Sequence, residues 1–436
     1  MTVSINEYVR RRKSLMKQMG RNSIAILGAA DLKVRNRDSE YPYRQDSDFY
    51  YLTGFNEPEA VLVLIPGRQE GEFVLFCRPR NAQMELWNGK RAGVNGARKD
   101  YLADEAYPIA TLDELMPQML QDKSRVYYAM GGDAAFDQKV LSWTRDVAQR
   151  VRAGVVAPNE FFSLDPLLHE MRLLKSRSEL TVMRKAARIS ATAHKQAMKI
   201  CQPGMYEYEL EAEILYTFNR GGCRSPAYNT IVGGGKNACV LHYIENDDVL
   251  RDGDLVLIDA GAEYQGYAAD ITRTFPVNGA FSEPQRELYE IVLEAQLAAI
   301  KKVKPGNSWQ DPHDAAVDVI TRGLRELKLL KGRLPTLIKE KAYSQFFMHR
   351  TGHWLGMDVH DVGVYRNEGK WRRLQAGMVL TVEPGIYVRQ QKGVPKAYWN
   401  IGIRIEDDVA VTTKGHEVLT SAVPKSVDEI ERLMAS

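Results

Sequence analysis

Apolar residues recur at near-helical spacing in residues 4–19, where Ile5, Tyr8, Val9, Leu15 and Met16 fall between arginines and lysines. That spacing predicts a helix. A short apolar strand is expected at 23–27, and a polar loop dense in charge and aromatics at 35–49. Residues 50–55, 60–66 and 72–77 read as strands, separated by Asn-Glu-Pro-Glu and Gly-Arg-Gln-Glu-Gly turns. Helix and strand patterns alternate to about residue 155, which predicts an α/β domain with a mixed sheet.

The pattern changes at 164–200, where a long helical stretch opens. Ser176, three positions before Glu179, is a capping-box signature for a helix through Lys199. The domain boundary is placed there, giving domains at 1–173 and 174–436. A further helix is expected at 204–219, with Glu207, Glu209, Glu211 and Glu213 on a solvated acidic face, and two more at 283–302 and 311–329. Residues 378–420 return to strand-like alternation. The second domain therefore reads as α+β, with helices covering an antiparallel sheet.

Composition narrows the class. The chain is 44% hydrophobic and 26% charged, with a formal net charge of +3 and no basic block. Nucleic acid and membrane surfaces are not expected partners. The N-terminus has no apolar signal-like run and nothing approaches membrane-spanning length. Cys77, Cys201, Cys223 and Cys239 form no CxxC pair and suit reduced thiols, so a cytoplasmic location is expected.

Two motif-like stretches fail on inspection. His169-Glu170 is not a zincin motif, because position 173 is leucine. Gly-Gly-Gly-Lys at 233–236 is not a phosphate loop: Thr230 stands at the first glycine and Asn237 at the Ser/Thr.

Four other stretches place chemistry at the ends of apolar runs. In 253–275, Leu255 to Ile258 ends on Asp259, a turn-like stretch follows, and Asp270 opens a second β-rich run. This reads as a β-hairpin with an acid on each strand. Residues 346–361 hold His349, His353 and His360 among glycines and apolar residues. Glu383 ends an apolar run before Pro-Gly, and in 402–408 Arg404 and Glu406 point opposite to Ile401, Ile403 and Ile405. Singly, each has an ordinary reading as a turn, a core histidine or a surface ion pair of little worth. Jointly they form a carboxylate-rich set with one imidazole. Four carboxylates balance two divalent cations, and oxygen donors with a single imidazole suit Mn²⁺. Two such cations could bridge a hydroxide that is nucleophilic at neutral pH.

The order of these residues, Asp259, Asp270, His353, Glu383-Pro-Gly and Arg404-Ile-Glu406, resembles the pita-bread dinuclear metallopeptidases: methionine aminopeptidase, prolidase and aminopeptidase P. The first half resembles the creatinase/prolidase-type N-terminal domain. Flanking runs such as Tyr-Asn-Thr-Ile-Val-Gly, Leu-His-Tyr and His-Trp-Leu-Gly-Met-Asp-Val-His-Asp-Val-Gly resemble the bacterial aminopeptidase P (Xaa-Pro aminopeptidase) branch. The resemblance implies a creatinase/methionine aminopeptidase-like catalytic domain behind a smaller α/β domain. It implies that Asp259, Asp270, His353, Glu383 and Glu406 hold two metal ions, Mn²⁺ for preference, with Glu406 bridging and Glu383 as general base. His242 and His360 match proton-shuttling, substrate-contacting histidines, and His349 a residue near the proline pocket. Arg404 matches a positioning residue, while Tyr228 and Asp38 match outer or rim residues. Arg-Thr-Gly at 350–352 departs from the smaller residues found in compared members, which points to an altered rim.

The activity so implied is hydrolysis of the N-terminal Xaa-Pro bond of peptides, by an enzyme that forms dimers or tetramers. A prolidase restricted to Xaa-Pro dipeptides is the alternative. A binding module that had given up catalysis is expected to have lost a ligand, and all five are present. Metal-free creatine hydrolysis is disfavoured because the acidic set repels itself without cations.

Overall fold

A computed structural model describes residues 3–436, which divide into compact units at Val3–Met171 and Arg172–Ser436. In the first unit a six-stranded sheet runs in the order Glu105–Pro108, Phe73–Cys77, Val61–Leu64, Ser23–Gly28, Arg125–Tyr128, Glu160–Ser163. The three central strands pair antiparallel and the outer ones add in parallel, so the sheet is mixed. Ile24, Ile26, Val63, Val74 and Phe76 meet Met116, Leu120, Trp143 and Val147 from the covering helices.

One expected strand is a helix. Residues 50–55 are rich in β-favouring side chains, yet Ser47–Thr53 is helical. The Asp46 carboxylate accepts the Phe49 N–H as N-cap, and Gly54 ends the helix in the left-handed region at φ 66°. Two arginines of the helix Ile5–Met19 then stabilise its far end. Arg11 Nη1 donates to the Tyr51 carbonyl at 3.0 Å and Arg12 Nη1 to Leu52 at 2.8 Å, and both arginines are buried. Cations on C-terminal carbonyls oppose the helix dipole, and this context overrides a weak β propensity. The adjoining loop also contains a small hairpin, Val34–Asn36 with Ser39–Glu40.

In the second unit the long helix Arg177–Ile200 starts at the expected capping box, Ser176 with Glu179. The helices Glu283–Ile300 and Gln310–Glu326 pack closely at Gly323, where a Cβ would run into Ile291. Every strand pairing in this unit is antiparallel. Its architecture is the α+β catalytic fold expected.

The 253–275 stretch is more elaborate than a simple hairpin. Leu255–Asp259 pairs with Thr272–Pro276 in register from Leu255↔Pro276 to Asp259↔Thr272. Between them Ala262–Tyr264 and Tyr267–Ala268 form a second hairpin, which joins Ser225–Pro226 in its own sheet. Asp270 lies just ahead of the second strand rather than in it. The connection folds back tightly at Gly261, where a Cβ would collide with the Ala269 carbonyl.

The acidic face expected on Glu207–Arg220 is not simply solvated. Glu207 is fully buried, Glu209 closes a capping box on Tyr206, and Glu211 accepts from Asn246 Nδ2 at 2.9 Å. All four cysteines are free and buried, and burial raises their thiols to about 11 for Cys77 and Cys223 and about 12 for Cys201 and Cys239. Among the described residues no helix is long and apolar enough to cross a membrane.

Candidate active site

A cavity of about 1130 Å³ opens in the second unit. Of the eleven residues singled out from the sequence, ten line it: Tyr228, His242, Asp259, Asp270, His349, His353, His360, Glu383, Arg404 and Glu406. Asp38 lies in the first unit, exposed at the turn between Val34–Asn36 and Ser39–Glu40.

The chain delivers these groups from strand ends. Asp259 closes the strand Leu255–Asp259, and Glu383 sits between Val379–Val382 and Gly385–Val388. Arg404 ends Ile401–Arg404, and Glu406 lies between that strand and Asp407–Val411. The His353 loop is stitched to the Glu383 segment: Thr381 N–H donates to the His353 carbonyl at 3.0 Å and Glu383 N–H to the Thr351 carbonyl at 2.8 Å. The His360 loop is fastened through its neighbour Asp361, whose buried carboxylate accepts from Arg172 at 2.7 Å and Lys175 at 2.8 Å.

The acids crowd together. Asp270, His353 and Glu406 each offer a ligand atom, all within 4.8 Å of one another. His353 Nε2 is 3.3 Å from Asp270 and 3.7 Å from Glu383. Its Nδ1 faces the Trp354 carbonyl at 2.9 Å, so that nitrogen carries the proton and Nε2 points at the carboxylates. The Tyr228 hydroxyl lies 2.6 Å from Asp259 Oδ1 and also contacts Asp270 Oδ1, with one proton to share between them. Arg404 gives Nη2 to Asp259 at 2.6 Å, Nη1 to the Tyr387 hydroxyl at 2.9 Å, and Nε to Thr272 at 3.1 Å. Thr272 passes its own proton to Glu406 at 2.7 Å.

Burial dominates the electrostatics. It lifts the Glu383 carboxyl to about 7 and raises Asp270 and Glu406, with neighbouring acids adding to it. His353 rises to about 9: burial alone would lower it, but the bond to Asp270 and the charge of Glu383 outweigh that. His349 falls to about 4, through burial and then the nearby Arg404. It is therefore neutral at pH 7. Its Nδ1–H donates to the Arg350 carbonyl at 2.7 Å, and Nε2 accepts the Tyr387 hydroxyl at 2.9 Å. His360 is also lowered, by burial and by His353, whose ring it meets edge-on at 4.4 Å.

This donor set fits divalent cations. Buried carboxylates that retain protons against one another are the groups a cation deprotonates on binding. Oxygen donors with one correctly oriented imidazole match the hard-to-borderline metals.

Sequence reasoning missed several supports. Tyr387 bridges Arg404 to His349. His313 Nδ1 meets Thr351 Oγ1 at 2.8 Å behind the His353 loop. Buried Asp408 accepts the Asp270 N–H. Glu207 holds the segment that carries His242: its carboxylate accepts from Gly234 N–H at 2.7 Å, Asn237 Nδ2 at 3.0 Å, the Tyr243 hydroxyl at 2.8 Å and Asp248 N–H at 3.0 Å. The Arg-Ile-Glu-Asp-Asp run showed Asp408, but nothing local marked Glu207 as buried.

Residues 181–413 match the family model described as metallopeptidase family M24, and residues 8–127 match that of the aminopeptidase P N-terminal domain. The chain is 48% identical to the Xaa-Pro aminopeptidase of Escherichia coli K12 over 435 residues, covering 100% of this chain and 98% of that protein. Among solved structures, Pseudomonas aeruginosa aminopeptidase PepP superposes with a TM-score of 0.99 at 56% identity, covering 100% of this chain and 98% of that one. Zinc-substituted E. coli aminopeptidase P in complex with product gives 0.97 at 48% identity, covering 100% and 99%.

Proposed function

The chain belongs to metallopeptidase family M24, and on that premise we propose that it is an aminopeptidase that hydrolyses the N-terminal Xaa-Pro bond of peptides. The observation that carries the reading is the convergence of Asp259, Asp270, His353, Glu383 and Glu406 in one cavity, which His242, His349 and His360 also line. The five would hold two divalent cations, Mn²⁺ for preference. Cations bound there supply Lewis acidity to the scissile carbonyl and make an adjacent water more acidic.

The chain's own groups do the rest. Glu383, poised near neutrality, takes a proton from the attacking water and returns it to the departing proline nitrogen. That return matters because an Xaa-Pro bond is a tertiary amide whose nitrogen carries no hydrogen. His242 and His360 donate hydrogen bonds to the oxyanion and relay protons. His349, neutral and fixed by Tyr387, lines the proline pocket. Arg404 holds Asp259 and, through Thr272, Glu406. Tyr228 supports the two aspartates. Homo-oligomerisation and a cytoplasmic location complete the reading; sedimentation would measure the first.

Cleavage of an Xaa-Pro dipeptide against an Xaa-Pro-Pro tripeptide with added Mn²⁺ tests the activity. The tripeptide is the expected substrate, and a strict dipeptide preference would mean a prolidase.

A further inference from the structure

The departure at 350–352 puts a cation on the cavity wall. Arg350 and Arg366 both line the cavity, and both lie over the ring of Trp371, with guanidinium carbons 5.0 Å and 3.9 Å from its centroid. Arg366 is directly opposite Trp371 in the hairpin Arg366–Asn367/Lys370–Trp371, so the pair is built into the register. Arg350 is held from the other side by Gln310, whose Oε1 accepts from Nη2 at 2.7 Å. Gln310 is a neutral acceptor: it fixes the direction of the guanidinium without cancelling its charge. The nearby Asp314 carboxylate instead accepts from Gln310 Nε2 at 2.6 Å.

Among the described residues neither arginine has a carboxylate within ion-pair distance. Two cations sharing one indole repel each other, and an anion between them relieves that cost. A guanidinium presents a planar fork that matches a carboxylate. The carboxylate in question follows from the reading above: His349 is assigned there to the proline pocket, and Arg350, the next residue in the chain, lines the same cavity.

We propose that Arg350 and Arg366, stacked on Trp371, form a carboxylate-binding subsite that selects peptides bearing negative charge on the residue after proline. This rests on the aminopeptidase reading above. The charge comes either from an acidic side chain or, in a tripeptide, from the C-terminus.

Two peptide pairs separate these sources. Ala-Pro-Glu-Ala amide against Ala-Pro-Gln-Ala amide reads the side chain; Ala-Pro-Ala acid against its amide reads the terminus. In the parent enzyme the acidic member of at least one pair is expected to show roughly tenfold higher kcat/KM at low salt, carried by KM. That ratio falls toward unity in Arg350→Gln/Arg366→Gln and in molar salt. Ratios near unity in the parent for both pairs, or ratios untouched by the substitutions, overturn the proposal. Failure to hydrolyse even the neutral peptides would count against the aminopeptidase reading instead. Equilibrium binding of the same pairs, followed by tryptophan fluorescence, decides the subsite without turnover.

Discussion

The Glu207 carboxylate accepts the Tyr243 hydroxyl at 2.8 Å, one residue beyond His242 on the cavity wall. With three further donors on the same two oxygens, this one side chain sets the path of the 234–248 segment. Glu207→Ala leaves four donors without their acceptor, at a cost of about 2–4 kcal/mol. The expected result is a lower melting temperature and at least a tenfold loss of kcat/KM. Combined with His242→Ala, the activity losses should be clearly less than additive, and a fully additive double mutant would show that Glu207 does not act through that segment.

Arg404 should tolerate no conservative replacement. Its three nitrogens serve Asp259, Tyr387 and Thr272 separately, a geometry that a lysine ammonium cannot reproduce. Arg404→Lys is expected to lose about a hundredfold in kcat/KM, in the range of a lost outer support of a metal ligand. Activity within threefold of the parent would contradict that.

Removal of the cations should abolish turnover reversibly. Chelation followed by gel filtration is expected to leave inactive protein that Mn²⁺ reactivates. Asp270→Ala should lower bound metal measured by elemental analysis. Glu383→Gln should cut kcat by roughly 10²–10⁴ while KM changes little, as for loss of a proton carrier. If both variants hydrolyse peptide like the parent, the assignment of the centre fails.

Acid should destabilise the protein well above the carboxylate range. His194 is completely buried, and burial lowers it to about 4, although its bond to the Ala260 carbonyl pulls the other way. Its folded pKa lies below its unfolded value of about 6.5, so the unfolded chain binds the extra proton between those values. The stability it contributes is whole above pH 6.5 and is lost as pH falls toward 4, by roughly 3 kcal/mol at most. His313, also lowered to about 4 by burial, adds in the same direction. The part of the melting temperature that depends on His194 should be flat from pH 7 to 8 and fall below 6.5. His194→Gln should make that drop shallower; an unchanged slope would rule His194 out as its source.

How much of this was legible follows from where each signal sits. Asp259, Glu383 and Arg404 could be read because each closes or adjoins a short apolar run, and the chain itself marks such ends. Glu207 could not, because four acids at alternate positions on a helix look like a solvated face until a distant loop folds over one of them. Residues 50–55 misled for a related reason: their aromatic content favours a strand, and the decisive Asp46 cap and the arginines below the helix lie outside the window. The hairpin at 253–275 was visible as two strands, but the second hairpin within its connection depends on Ser225–Pro226, which no local pattern announces.

The four buried cysteines have a practical corollary. With thiols raised to about 11 or 12 they stay protonated and shielded at pH 7, where maleimides attack thiolates. The native chain is thus already a silent background for site-directed labelling. Glu40→Cys on the exposed hairpin of the first unit and Lys370→Cys in the second would be the reactive pair. Dyes attached there would turn the separation of the two units, and any change in it when peptide arrives, into a distance read one molecule at a time.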